Sequence, residues 1–183
     1  MDNLPKKRKH QTSSAPHKKK KPQFTVSIVV PDSILYNAQS PELRAYLVSQ
    51  VARAAAIYQV DEVVILKDSH TAKTSHTKFE GVGFFTRNLE YLETPQYLRK
   101  KLFPMHPDLK FSGLLNPLDT PHHLRSDELS DYREGVTVER PCKEGSGSWV
   151  NIGLKKDATI NYRLAPGTRV TVKLDDPSAK SNT

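Results

Sequence analysis

The feature that most constrains this chain is a strand–helix–strand pattern in its first seventy residues. Phe24-Thr25-Val26-Ser27-Ile28-Val29-Val30 is β-branched and mostly apolar, the composition of a buried strand. Pro31 is expected to end it. Ser40-Pro41-Glu42 then reads as a helix start, with a capping hydroxyl, a proline at the first helical position and an acid at the positive end of the dipole. Leu43, Leu47, Val51, Ala54 and Tyr58 recur at spacings of three and four, which predicts an apolar helical stripe through residue 58. Asp61-Glu62 lead into Val63-Val64-Ile65-Leu66, a second strand of the buried type. A crossover of this length joins parallel strands through a right-handed connection. Ligands of such sheets sit beyond the carboxyl ends of the strands, so the functional rim is expected at residues 31–40 and 67–80. His70 and His76 in the second, polar loop read as exposed loop residues rather than ligands.

Residues 84–92 and 96–103 read as helices broken at Pro95, with the pairs Tyr91/Leu92 and Tyr97/Leu98 directed at the core. Arg99, Lys100 and Lys101 suit the negative end of the second helix dipole as well as they suit contact with RNA. From Pro104 the helical stripes vanish and turn residues multiply. Four short strand candidates follow at 135–140, 148–153, 158–162 and 168–174, separated by Gly145-Ser146-Gly147, Lys155-Lys156-Asp157 and Ala165-Pro166-Gly167. The last alternates cleanly, Val170, Val172 and Leu174 against Arg169, Thr171 and Lys173. Short strands at this spacing predict a small antiparallel, OB-like barrel, and four of them leave it short of closure.

The stretch 113–125 joins the two patterns and combines prolines with Asn116, His122, His123 and Arg125. Adjacent histidines diverge in extended backbone and their remaining ligands would have to be oxygens, so no metal site is expected. General-base work by either ring has no partner at a supporting spacing. A structural role, or contact with nucleotide phosphates and bases, is what the composition leaves.

Charge is distributed unevenly. Residues 1–22 hold Lys6, Lys7, Arg8, Lys9, Lys18, Lys19, Lys20 and Lys21 against Asp2 alone, a net +7, while the whole chain carries only +8. The body is therefore close to neutral, which excludes a generic basic nucleic-acid coat. The tail lacks apolar periodicity and is expected to be disordered. Its two basic clusters suit a bipartite signal read by the nuclear import machinery, with added RNA affinity. No run of about 18 apolar residues exists, so no membrane-spanning helix is expected, and the amino terminus has no apolar region of a secretory signal. Cys142 is the single cysteine, which excludes an internal disulfide framework and favours a reducing compartment.

Four segments carry a resemblance: Asn37-Ala38-Gln39-Ser40-Pro41-Glu42-Leu43-Arg44, Thr94-Pro95-Gln96-Tyr97-Leu98-Arg99-Lys100, Gly113-Leu114-Leu115-Asn116-Pro117-Leu118-Asp119 with Pro121-His122-His123, and Tyr132-Arg133-Glu134-Gly135. In this order they resemble the SPOUT-class RNA methyltransferases of archaea and eukaryotes in which an OB-like barrel is inserted into the α/β-knot domain. The resemblance runs from about Phe24 to Leu174. It implies the first half of the SPOUT α/β domain over 23–105 and the barrel over 106–176, which leaves the basic tail 1–22 and the polar tail 177–183, both expected to be disordered. It also implies methyl transfer from S-adenosylmethionine to an RNA nucleotide, in a homodimer of the full-length form.

In the family the cofactor is held by a trefoil knot that follows the barrel, whereas this sequence closes on a polar tail. The expectation is therefore a truncated form, with no cofactor for this chain alone, no activity of its own and no catalytic or cofactor-binding residue to carry over. Substrate-side candidates are Asn37, Gln39 and Arg44 after the first strand, Asn116, His122, His123 and Arg125 in the connecting stretch, and Trp149, Tyr162, Arg169 and Lys173 in the barrel. Animal members of the family are associated with the mitotic spindle and kinetochore. That supplies the alternative, a non-catalytic RNA-binding or interaction protein of the nucleus, nucleolus or spindle.

Overall fold

A computed structural model describes residues 24–68, 79–142 and 147–175. The lysine clusters of the amino-terminal tail, His70 and His76, the Gly145-Ser146 turn and the tail 177–183 lie outside the described residues. The chain is mixed α/β, with a parallel strand pair carrying helices and an antiparallel sheet built from the later residues.

Strands β1 (Ser27–Pro31) and β2 (Glu62–Leu66) pair in parallel, Ser27 opposite Glu62 and Pro31 opposite Leu66. Pro31 is thus the last residue of the strand rather than a stop before it. A two-stranded sheet has only edge strands, where proline is tolerated. A 3-10 turn, Asp32–Asn37, follows at once. Helix α1 (Pro41–Ile57) begins as its residues require: the Ser40 hydroxyl accepts the Leu43 N–H at 3.3 Å. Its own backbone N–H, then the Ser40 hydroxyl, hold the Glu42 carboxyl below its usual value.

The buried face of α1 is not the expected stripe. Ala45, Val48, Ser49 and Ala52 are buried, Leu47 and Val51 flank the core, and Leu43 and Tyr58 are exposed. Small residues win the contact because α1 packs directly on α2 (Gly81–Glu93), and alanine and serine permit that close approach. The core of this unit joins those residues to Leu35, Phe84, Phe85 and Leu92, each large side chain contributing about 1.5–3 kcal/mol on burial. Leu115 folds back into the same cluster, with Phe111 and Leu118 packed against it, so the connecting stretch is anchored on the α/β core. Helix α3 (Gln96–Leu102) follows α2 after Thr94-Pro95 and buries Leu98.

Both strands of the parallel pair also depart from the expectation of full burial. Ile28, Val30, Val63 and Ile65 are partly covered, while Val29, Val64 and Leu66 are exposed on the opposite face among the described residues. Apolar β-branched composition identifies a strand; it does not identify what lies over each face.

The later residues form one antiparallel sheet, ordered β5 (Ala158–Ile160), β4 (Ser148–Asn151), β3 (Tyr132–Val138), β6 (Arg169–Lys173). Strand β3 starts three residues earlier than the expected 135–140, because Tyr132, Arg133 and Glu134 pair with Lys173, Val172 and Thr171. Strand β4 stops at Asn151, ahead of Gly153, which turns the chain at φ +74°. A Cβ at Gly153 would lie 2.3 Å from the Tyr97 ring, so glycine there also permits α3 to meet the sheet. Val150, Ile152 and Val172 form the core of the sheet, with Val170 and Ile160 against it. The sheet is open, with β5 and β6 as its edges among the described residues. No helix among those residues is long and apolar enough to cross a membrane.

Candidate functional site

Two groups of polar side chains stand where the fold brings separate segments together. The first lies beyond the carboxyl ends of β1 and β2. Asp32, at the head of the 3-10 turn, is buried, and its Oδ1 accepts the Asp68 N–H at 2.8 Å, joining the two strand ends. Arg44, in the first turn of α1, lays its guanidinium over the Phe79 ring at 4.7 Å. Phe79 is in turn held edge-on by Tyr36 and tilted against Phe84. The Arg44 Nε is buried without a hydrogen-bond acceptor, and no ion pair is formed by this guanidinium among the described residues. Asn37 and Gln39 are exposed on the segment that leads into α1. Of the three candidates on this side, Asn37 and Gln39 fall within the segment 31–40 and Arg44 in the helix that follows it.

The second group is the junction between the α/β unit and the antiparallel sheet. Arg169 on β6 donates from Nε to Glu134 Oε2 at 2.7 Å and from its terminal nitrogens to Glu93 Oε2 and Oε1 at 2.6 and 3.0 Å. Glu93 ends α2 and Glu134 lies on β3, so one guanidinium ties helix to sheet. The hydrogen bond to Glu93 raises the Arg169 pKa above its ordinary value against the opposing effect of burial. Burial pushes the Glu93 carboxyl up, but the Arg169 bond and the charges of Arg169, His122 and His123 outweigh it and hold the group below the usual glutamate range.

His122 Nε2 lies 2.9 Å from both the backbone oxygen and Oε1 of Glu93. His123 spans Leu118 O at 3.0 Å and Glu93 O at 2.6 Å, and the two rings meet edge to face. The histidines thus fasten the connecting stretch to the end of α2. Ligand atoms of Glu93, His122 and Glu134 come within 4.8 Å of one another, a grouping invisible in the adjacency of His122 and His123. Arg169 already bonds both carboxylates, so the cation balancing them is a guanidinium.

Beside this junction a cavity of about 700 Å³ opens between the start of α3, the 117–126 stretch and the sheet. Arg133 lines it and is only 3% exposed. Its Nε donates to Ile152 O at 2.8 Å, a terminal nitrogen donates to Leu124 O at 3.3 Å, and its plane lies 5.1 Å from the Tyr97 ring centroid. Tyr97 donates its hydroxyl to Glu134 O at 2.9 Å, and burial, the largest effect on it, raises its pKa. Arg125 lines the same cavity, exposed, with its backbone N–H on Glu128 Oε2 at 2.8 Å.

The remaining candidates stand apart. Asn116 is half-buried in the connecting stretch. Trp149 is half-buried, covered by the Arg140 guanidinium at 4.5 Å, and donates its indole N–H to Pro141 O at 3.2 Å. Tyr162 is exposed beyond β5, and Lys173 is exposed opposite Tyr132. Sequence reasoning missed Glu93, Glu134 and Arg133 as members of the junction. Arg133 alone carried a signal, since it shares the face of Val172, where alternation calls for an apolar residue.

A family model described as "Putative RNA methyltransferase" matches residues 25–183. The chain is 54% identical over 160 residues to a protein of Homo sapiens named 28S rRNA (uridine-N(3))-methyltransferase, covering 83% of this chain and 43% of that protein. A Drosophila melanogaster protein of the same name is 50% identical over 169 residues, covering 84% and 35%. A Caenorhabditis elegans protein named "Putative methyltransferase spot-1" is 45% identical over 174 residues, covering 84% and 46%. The chain thus spans less than half the length of these relatives.

Proposed function

The chain belongs to this RNA methyltransferase family, and from that premise we propose that it serves the transfer of a methyl group from S-adenosylmethionine to a uridine nitrogen of large-subunit ribosomal RNA. In this reading β1, α1 and β2 form the first part of a SPOUT domain and the four-stranded sheet is its OB-like insertion. The substrate and reaction come from the names of the relatives. The observation from the chain itself that carries the reading is Arg44. A guanidinium backed by an aromatic ring, with a buried donor that has no acceptor, at the carboxyl ends of parallel strands, suits a phosphate of the RNA beside the reacting base. The chemistry is displacement at the methyl carbon, so the chain's contribution is positioning. Nothing favours the non-catalytic alternative over an assignment shared by these named relatives.

A methyl group on uridine N3 removes the Watson–Crick donor of that base and stops reverse transcription. The expected result is one stop in large-subunit ribosomal RNA that vanishes when the gene is disrupted and returns with the wild-type gene. Arg44→Ala should restore it at least tenfold less well, and Arg44→Lys, which lacks the planar fork, no better than partly. A stop pattern indifferent to the gene refutes the reading. We further propose a nuclear location, supported by the lysine clusters of residues 1–22.

A further inference from the structure

We infer that the cavity at the junction of α3, the 117–126 stretch and the sheet is a second anion site, and that its occupant is a phosphate of the RNA at a distance from the reacting base. The inference names a further contact for the function proposed above and rests on that function for its occupant, though not for the anion itself.

The argument begins with Arg133. It is buried on the core face of β3, and among the described residues no carboxylate pairs with it. Its neighbours are two carbonyl oxygens and the face of Tyr97, which satisfy donors and offer quadrupole attraction but neutralise no charge. A buried charge without a counter-ion is costly, and an anion drawn into the cavity would offset that cost. Arg169, by contrast, has its carboxylates in place and needs nothing further.

The surroundings of Arg133 are those of a site. The cavity it lines is bordered by Arg125 and Ser126, both exposed. The acidic groups nearby are Asp119, exposed at the lip, Glu128, whose Oε2 accepts the Arg125 backbone N–H, and Glu134, which Arg169 already engages. Within the cavity lining, two guanidiniums face one carboxylate, Asp119. A phosphate diester fits this pattern: it carries a single charge and accepts hydrogen bonds in a plane that a guanidinium fork matches. The cavity also sits on the stretch bearing His122 and His123, so an RNA strand held there would be held against both units at once.

The test uses the 183-residue chain, isotope-labelled for arginine Nε–H and backbone amide resonances. Inorganic phosphate is titrated first. Saturable shifts of the Arg133 Nε–H and of the Arg125 and Ser126 amides, weakened at least fivefold by Arg125→Ala, are expected. An oligouridine of about twelve nucleotides should then move the same resonances at lower concentration. Arg125→Ala should reduce the slope of log affinity against log salt by about 0.7, the value of one single-strand phosphate contact. Arg133→Lys is the companion variant. Because it can unfold the sheet, Arg125→Ala on the exposed lip decides the matter alone. Phosphate that leaves these resonances unmoved, or moves them equally in Arg125→Ala, overturns the anion site. Phosphate binding without any response to oligouridine overturns the RNA assignment and leaves a site for a free anion. If the ribosomal RNA stop proves independent of the gene while the phosphate response holds, the activity reading fails and this site stands.

Discussion

Replacing Arg169 with alanine should loosen the joint between the helical unit and the antiparallel sheet. The guanidinium donates to two carboxylates from separate elements, and its side chain is 30% exposed against 17% for Glu134 and 51% for Glu93. Hydrogen bonds to charged groups contribute about 1.5–3 kcal/mol each in buried settings, but the Glu93 half is screened by solvent and is worth less than about 1 kcal/mol. The Glu134 half dominates, because its carboxylate loses its partner while remaining mostly buried. The expected loss is about 2–3 kcal/mol, or roughly 4–12 °C in Tm for a domain of this size. Thermal and urea melts at pH 7 measure it. Combining Arg169→Ala with Glu134→Gln should cost clearly less than the sum of the single changes, by at least about 1 kcal/mol. Strict additivity, or a Tm within about 1 °C of wild type, refutes the clasp. Acid supplies an independent check. Glu93 is held below its usual pKa in the folded chain, so the unfolded state binds more protons, and the stabilisation is complete above the unfolded value of about 4.3. It is lost as pH falls through the depressed folded value. The gap between wild type and Arg169→Ala should therefore be widest near neutrality and narrow below about pH 4.

Gly153→Ala adds a side chain at φ +74° and drives its Cβ into the Tyr97 ring, so a loss of about 2–4 kcal/mol is expected in denaturant melts, and a midpoint equal to wild type contradicts the close approach. Ser40→Ala removes the acceptor for the Leu43 N–H and should cost about 0.5–2 kcal/mol, read in the same melts, with Ser40→Asp recovering most of it. A fluorescent fusion of the whole chain should concentrate in nuclei, and one lacking residues 1–22 should spread through the cell; unchanged nuclear signal removes the import assignment.

How much of this was legible beforehand follows from the range of each interaction. The start of α1 could be read from Ser40-Pro41-Glu42, because a cap is made by residues three apart. The parallel pairing of β1 with β2 followed from the length of the crossover. The stripe on α1 was misplaced because hydrophobicity ranks Leu43 and Tyr58 above Ala45 and Ala52, whereas close helix packing selects for size. The junction was beyond reach. Arg169 meets Glu93 across 76 positions and Glu134 across 35, and no local pattern encodes either distance. His122 and His123 were singled out by composition, but apart from the Glu93 carboxylate beside His122 their partners are the backbone oxygens of Glu93 and Leu118, carbonyls that every residue possesses.

The near-neutrality of the body outside the basic tail bears directly on how RNA could be held. A fold with a net charge close to zero attracts a polyanion only through cations that its own carboxylates leave unsatisfied. Arg87 is occupied by Asp108 and Arg169 by Glu93 and Glu134. Arg99 caps the carbonyls of Leu92 and Thr94 over Tyr91 and contributes to the packing of α3. Arg44 and Arg133 differ from Arg87 and Arg169 in having no carboxylate partner among the described residues, and from Arg99 in that the Arg44 Nε has no acceptor and Arg133 lines a cavity. One stands at the strand ends and the other at the junction with the sheet, on opposite sides of the α2–α3 turn in chain order. Attraction at two such fixed points depends on the spacing of phosphates more than on total charge. Neutralising exposed lysines such as Lys100 and Lys101 should then lower affinity for all RNA alike, whereas changes at Arg44 or Arg133 should also erase preference among RNA shapes.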